Sequence, residues 1–399
     1  MDKNFINFHI LISHSPSCLN RDDMNMQKSA IFGGKRRVRI SSQSLKRTVR
    51  TSSHYKKELG KPSIRTRELA ALKAVLIEKL SERFPHEIIG KAITFFSDKR
   101  DFQSNENHAD AVAPWCIEEV EWLCDHLQSN ETVKELCNDF FSITGNSDND
   151  KKKKRSLIKS FYTIIEKTGQ LQGLYNALRN NVDIALHGRM AASGLMKPLD
   201  GALAVAHVIT THAVDADIDW FTAVDDLQEL GSGHLDTQEF SSGVFYRYAS
   251  LNLKQLQLNL GLIPDIRSEE TQESRNAALE IATHLLHLLT TEVPSAKQQS
   301  FAAHNLADLA MVSFSDIPVS LANAFEEPVK AAPGGGFLKP SVDALHEYWG
   351  KIHTGYGLDE RTAAFSISKK PPELMTEKKT LAELENWVKN NGSEANKEG

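Results

Sequence analysis

The chain has 399 residues, 40% of them hydrophobic and 25% charged, with a formal net charge of −5; it is long enough for one large or two or three smaller domains, and this balance excludes a disordered chain or a uniformly basic nucleic-acid binder. No segment approaches the roughly 18 consecutive apolar residues of a membrane span, and the amino-terminal MDKNFINFHILISHS has no small-residue cleavage site, so the sequence predicts a cytoplasmic protein without a membrane partner. Cys18, Cys116, Cys124 and Cys137 show no C-x-x-C spacing, which points to buried thiols rather than a zinc site or disulfide framework.

In chain order, Asn4 to Ser13 is rich in β-formers and predicts a strand buried on at least one face. A polar loop with Asn20, Arg21, Asp22 and Asp23 follows. From Lys28 to Arg50 there are eight Lys or Arg and no Asp or Glu. Within that stretch Gly33 and Gly34 free the backbone, and Arg36 to Ile40 reads as a strand with Val38 and Ile40 on one face and Arg37 and Arg39 on the other. Ser41 and Ser42 look like an N-cap, opening a helix that puts Leu45 and Val49 in the core and Lys46 and Arg50 one turn apart.

The pattern then turns helical from about Lys61 to Asn180, with a stripe of Leu69, Leu72, Leu76 and Leu80. The polar linker GNSDND interrupts it at Gly145 to Asp150, and Lys151 to Arg155 (KKKKR) opens a helix running to about Lys167. Strand signals return at Val182 to Met190, Ala202 to His212 and Gly243 to Leu253. A helix is predicted over Glu269 to Thr291, a strand over Leu309 to Ser315, a loop at Pro333 to Phe337, and helices near Val342 to His353 and Leu381 to Val388. Strand, helix, a long helical detour, strands, helix, strand is the order of a β-α-β-β-α-β ferredoxin-like core with insertions, hence an α+β fold.

The basic stretch combines flexible glycines, dense cations and a capped helix start, which are the parts a phosphate backbone needs; the alternative is a solvated basic face. No G-x-x-x-x-G-K-[ST] loop, HExxH pair or Gly-x-Ser-x-Gly elbow is present, and no cofactor is implied. Asp22 and Asp23 fit either a turn or a metal-dependent endoribonuclease. From Asp215 to Glu239 there are eight Asp or Glu and no Lys or Arg, interleaved with Trp220, Phe221, Val224, Leu227 and Leu230. Such a loop repels phosphates, so its apolar residues face a partner protein, the flat faces of bases, or solvent.

These blocks, FINFHILISHSPSCLNRDDMNMQKSAIFGGKRRVRISSQSLKR, DIALHGRMAASG, DIDWFTAVDDLQELGSGHLDTQEFSSGVFYRYA and HTGYGL, resemble the CasC-type backbone subunits of the type I-E CRISPR surveillance complex, Cascade. The resemblance implies an RRM-like palm (residues 1–60 and 181–375), helical fingers (61–180), a β-hairpin thumb (215–242) and a C-terminal helix and tail (376–399). It implies a non-catalytic subunit that stacks head to tail with other copies along the CRISPR RNA guide, beside other Cascade subunits, and presents that guide to target DNA. Carried over residue by residue, guide-backbone contact falls to Arg21, Lys28, Ser41, Gln43, Lys46 and Arg50. Met190, with Phe221 and Thr222 of the thumb, would flank a displaced nucleotide. The RRM stacking signature is absent, which suits a holder that leaves bases free. Lys151, Lys152, Lys153 and Lys154 are candidates for contact with incoming DNA, the alternative being a solvated helix start.

Overall fold

The computed structural model describes residues 2–98, 113–145, 147–170, 173–174, 177, 181–190, 195–196, 198–224 and 232–394, with the backbone alone at 221–224 and 232–236. It is a mixed α+β structure that divides into two units, residues 1–59, 203–253 and 271–399 forming the first, and residues 60–202 with 254–270 the second. The first begins with β1 (Phe5–Ser17), β2 (Ser29–Phe32), β3 (Lys35–Ile40), α1 (Ser42–Thr51) and α2 (Ser53–Glu58). The second carries β4 (Ile64–Thr66), α3 (Leu69–Leu80), α4 (His86–Ser97), β5 (Ala113–Trp115), α5 (Ile117–Ser129), α6 (Glu131–Ser142), α7 (Asp148–Lys167) and α8 (Val182–His187). The first unit then resumes with β6 (Leu203–Val205), β7 (Val208–Thr210), β8 (Asp217–Val224) and β9 (Ser232–Asn252), before α9 (Leu253–Asn259). It closes with α10 (Gln272–Thr291), α11 (Gln298–Phe301), β10 (Leu309–Ser315), α12 (Leu338–Tyr356), β11 (Arg361–Ser366), β12 (Thr376–Lys378) and α13 (Leu381–Lys389).

The sheet of the first unit runs β12-β11-β10-β1-β9-β7-β3-β2, with β6 and β8 also paired to β9. Its pairings are antiparallel except β11 with β12. β1 lies at the centre, Phe5 to Leu11 against Ser315 to Leu309 on one edge and Phe5 to Ile12 against Asn252 to Phe245 on the other. Ile6 to Ile12 are all buried, so the strand is covered on both faces, which accounts for its largely apolar sequence, and its polar Asn7 and His9 are buried with the rest. One face packs Leu11, Val244, Tyr246 and Met311 against Val342, Leu345 and Trp349 of α12. α10 packs against β1; its Thr271–Ser274 capping box fixes its start.

In the second unit the Leu69, Leu72, Leu76 and Leu80 stripe is buried with Ile93, Phe95, Phe140 and Phe161. Phe95 and Phe140 meet edge to face at 4.9 Å between centroids. Cys116, Cys124 and Cys137 are buried here and Cys18 in the first unit, all free.

Two strand readings change. Val182 to His187 is helix, started by Asn181, whose side chain accepts a hydrogen bond from the Ile184 N–H; six apolar-rich residues fit a buried helix as well as a strand, and the cap decides. Ala202 to His212 is two short strands rather than one, and His207 sits in the break.

Candidate nucleic-acid interface

Asn20 organises the basic stretch. Its carbonyl accepts the Lys28 N–H at 2.9 Å, its side-chain oxygen accepts the Ser41 N–H at 2.9 Å, and the Lys28 carbonyl accepts the Arg39 N–H at 2.9 Å. Arg21 follows directly, bridged to Gln27 and hydrogen-bonded to the Asn25 side chain. The loop, the β2–β3 hairpin and the start of α1 are thus held together, and Arg21, Lys28 and Ser41 with them.

The hairpin turn needs its glycines: Gly33 and Gly34 have φ of 57° and 70°. A Cβ on Gly33 would also fall 1.7 Å from the Glu326 carbonyl oxygen. Ser41 is the N-cap, its Oγ accepting the Ser44 N–H at 3.2 Å, and no acidic residue occupies the first turn of α1. Ser41 is itself buried. Leu45 and Val49 face the core, leaving Gln43, Lys46 and Arg50 in one row on the solvent side. The helix therefore turns its positive dipole end and two cations toward solvent, a setting that stabilises anions.

His207 joins this cluster, and sequence reasoning left it out. Its Nδ1 accepts from the Ser42 N–H at 3.3 Å and from Arg39 Nη1 at 3.2 Å. Burial, then Arg39 and Lys28, lower its pKa, so the ring stays the neutral acceptor both bonds require. Only its place in a break between strands, next to the basic stretch in space, reveals it.

Two arginines of the basic stretch have partners within the chain. Arg37 is fully buried, donating to the Thr210 carbonyl at 3.0 Å and the Phe325 carbonyl at 2.9 Å. Strand alternation does turn Arg37 away from Val38, but that second face is covered, so the charge is satisfied by carbonyls rather than water. Arg36 pairs with Glu239 at 3.3 Å, and Glu239 also accepts the Gln27 N–H at 3.1 Å. At its base, therefore, the acidic stretch is an intramolecular partner of the basic one. Beyond it β8 and β9 form a hairpin running from Asp217↔Phe240 to Val224↔Ser232; Phe221 lies opposite Asp236 and Thr222 opposite Leu235. Ile218 and Trp220 are 56% and 68% exposed. Asp225, Asp226, Leu227, Glu229 and Leu230 lie outside the described residues.

Asp22 uses one carboxylate oxygen to accept the Met24 and Met26 N–H groups, each at 2.9 Å, the turn-forming role of such a residue. Among the described residues no group of three His, Cys, Asp or Glu is placed to hold a metal.

In the second unit, Met190 is 96% exposed and immediately follows Arg189, which is buried on Glu119 at 2.7 and 3.1 Å and bridged to Leu199. A Cβ on Gly188 would meet the Leu199 carbonyl oxygen at 2.5 Å, so this tight anchor needs glycine and presents Met190 to solvent. On α7, Lys151, Lys152 and Lys153 are exposed, while Lys154 is buried, 2.7 Å from Asp98 and over the Phe140 ring.

A profile of the CT1975-like protein family matches residues 6–390, and the chain belongs to that family. No curated protein matches it. Among solved structures, one chain of a "CRISPR RNA-guided surveillance complex, pre-nicking" is 24% identical, aligned over 98% of this chain and 100% of that one with a TM-score of 0.74. A chain of a "CRISPR RNA-guided surveillance complex" is 21% identical over 98% and 100%, with a TM-score of 0.57. The likeness is one of fold along the whole chain.

Proposed function

We propose that this CT1975-like chain is a non-catalytic guide-holding subunit of a CRISPR Cascade complex, of the CasC type in a type I-E system: a cytoplasmic protein that binds CRISPR RNA by its backbone, stacks head to tail with copies of itself beside other Cascade subunits, and presents the guide to target DNA. The observation that carries this reading is the single clip at Asn20, which joins Arg21, Lys28 and the start of α1 into one face that offers cations and the positive end of a helix. Such a face takes phosphates of any sequence and leaves base edges unread. The fold likeness to chains of RNA-guided surveillance complexes supports it. So does the chain order β1, α1, β7, β9, α10, β10 with the spatial order β10-β1-β9-β7, which is that of an RRM-like palm. The β8–β9 hairpin would be the thumb and the second unit the fingers. Met190 of one copy, with Phe221 and Thr222 of a neighbouring copy's thumb, would border a displaced nucleotide, and Lys151, Lys152 and Lys153 would meet incoming DNA.

Binding of several unrelated RNA guides tests the reading. Lys28→Ala with Lys46→Ala weakens all of them alike, and the slope of log affinity against log salt falls by roughly 0.7 for each phosphate no longer neutralised; weakening confined to some sequences contradicts backbone holding. The RNA stays full length in magnesium. Cleavage that Asp23→Ala abolishes would replace this reading with a metal-dependent endoribonuclease.

A further inference from the structure

A groove of about 510 Å³ runs along the other exposed side of α1, between that helix, the loop after β1 and the segment from Glu292 to Lys297. Arg21, Arg47 and Lys297 line it, against one lining carboxylate, Glu292. A second hollow of about 420 Å³ shares Asn20, Arg21 and Ala296 with it, so the depression continues past Arg21. Lys297 is held at φ 53°, a strained conformation for a residue with a side chain, of the kind that collects at ligand clamps. On α1, Ser44, Arg47, Thr48 and Thr51 form a row beside the Gln43, Lys46, Arg50 row.

The hydroxyls of that row have a definite polarity. Thr48 Oγ1 donates its proton to the Ser44 carbonyl at 3.0 Å and Thr51 Oγ1 to the Arg47 carbonyl at 2.8 Å. With their donors committed to the helix, both oxygens can only accept from anything in the groove. A phosphate oxygen, itself an acceptor, gains nothing from them. A ribose 2′-hydroxyl donates, and DNA has none.

Resting on the guide-holding reading above, we propose that this groove is a ribose-reading subsite: Arg21, Arg47 and Lys297 take phosphates of single-stranded RNA, while Thr48 and Thr51 accept hydrogen bonds from the 2′-hydroxyls between them. The cations give affinity for any nucleic-acid strand. The two threonines make the strand RNA.

The test compares the full chain's affinity for one single-stranded RNA, the all-DNA strand of the same sequence, and that RNA with 2′-deoxy substitutions placed one at a time. Thr48→Val with Thr51→Val keeps the β-branched shape and lowers RNA affinity by about tenfold, two modest hydrogen bonds' worth, with DNA affinity unchanged. Arg47→Ala with Lys297→Ala lowers both alike. With the unaltered protein, deoxy substitution at particular positions reproduces the loss, and the threonine variant is then indifferent to it. Equal losses on RNA and DNA, or a threonine variant that keeps the full preference for RNA, overturn the subsite. An unaltered chain that binds no RNA overturns the guide-holding reading itself, and the subsite with it.

Discussion

At the scale of single residues, charge in this protein has two fates that sequence alone does not separate. Arg37 and Lys46 belong to the same basic run, yet Arg37 is fully buried on carbonyls while Lys46 lies on the solvent side of α1. Removing the buried charge leaves carbonyls without donors, a cost of about 2–4 kcal/mol including the charged hydrogen bonds themselves. Arg37→Met is therefore expected to lower the denaturant midpoint strongly, whereas Lys46→Ala leaves it near that of the unaltered chain and weakens RNA binding instead. Equal midpoints for the two variants would contradict this division. The same separation applies on α7, where Lys154 is spent on Asp98 and Lys151, Lys152 and Lys153 are not buried.

At the scale of elements, β1 shows how a central strand handles polar residues. His9 meets the Tyr246 hydroxyl at 2.8 Å and His14 meets Asn305 at 3.3 Å. Burial pushes both pKa values down from the ordinary 6.5 to about 3, and burial of His346 on α12 pushes it to about 4. Because the folded values lie below the unfolded one, the unfolded chain takes up protons first as the pH falls. Stability is thus full above pH 6.5 and declines below it, by about 1.4 kcal/mol per pH unit for each histidine, until the folded values are reached. Urea unfolding at intervals from pH 7.5 to pH 4.5 is expected to show that decline beginning near 6.5; a flat profile down to pH 5 would contradict it. Elements were legible where periodicity was long, as in the Leu69 to Leu80 stripe, the central strand and α10. They were not where a run was short, as at Val182 to His187, or where an exposed face in the one-dimensional pattern is covered in three dimensions, as at Arg37. The Asn20 clip, His207 beside Arg39, and the pairing of Glu239 with Arg36 join residues far apart in sequence, and no spacing rule marks them.

At the scale of the whole molecule, the membership in the CT1975-like family extends over residues 6–390 and the fold likeness over 98% of the chain. The proposed function asks one thing of this architecture: a sequence-blind face for a strand, on a protein that repeats along it. The measurement that tests this most directly is the mass of the purified complex formed on guide RNAs of increasing length. The account predicts steps of one 44.5 kDa chain for each constant increment of nucleotides, on any guide sequence. A mass fixed at one chain per RNA, whatever the length, would contradict it.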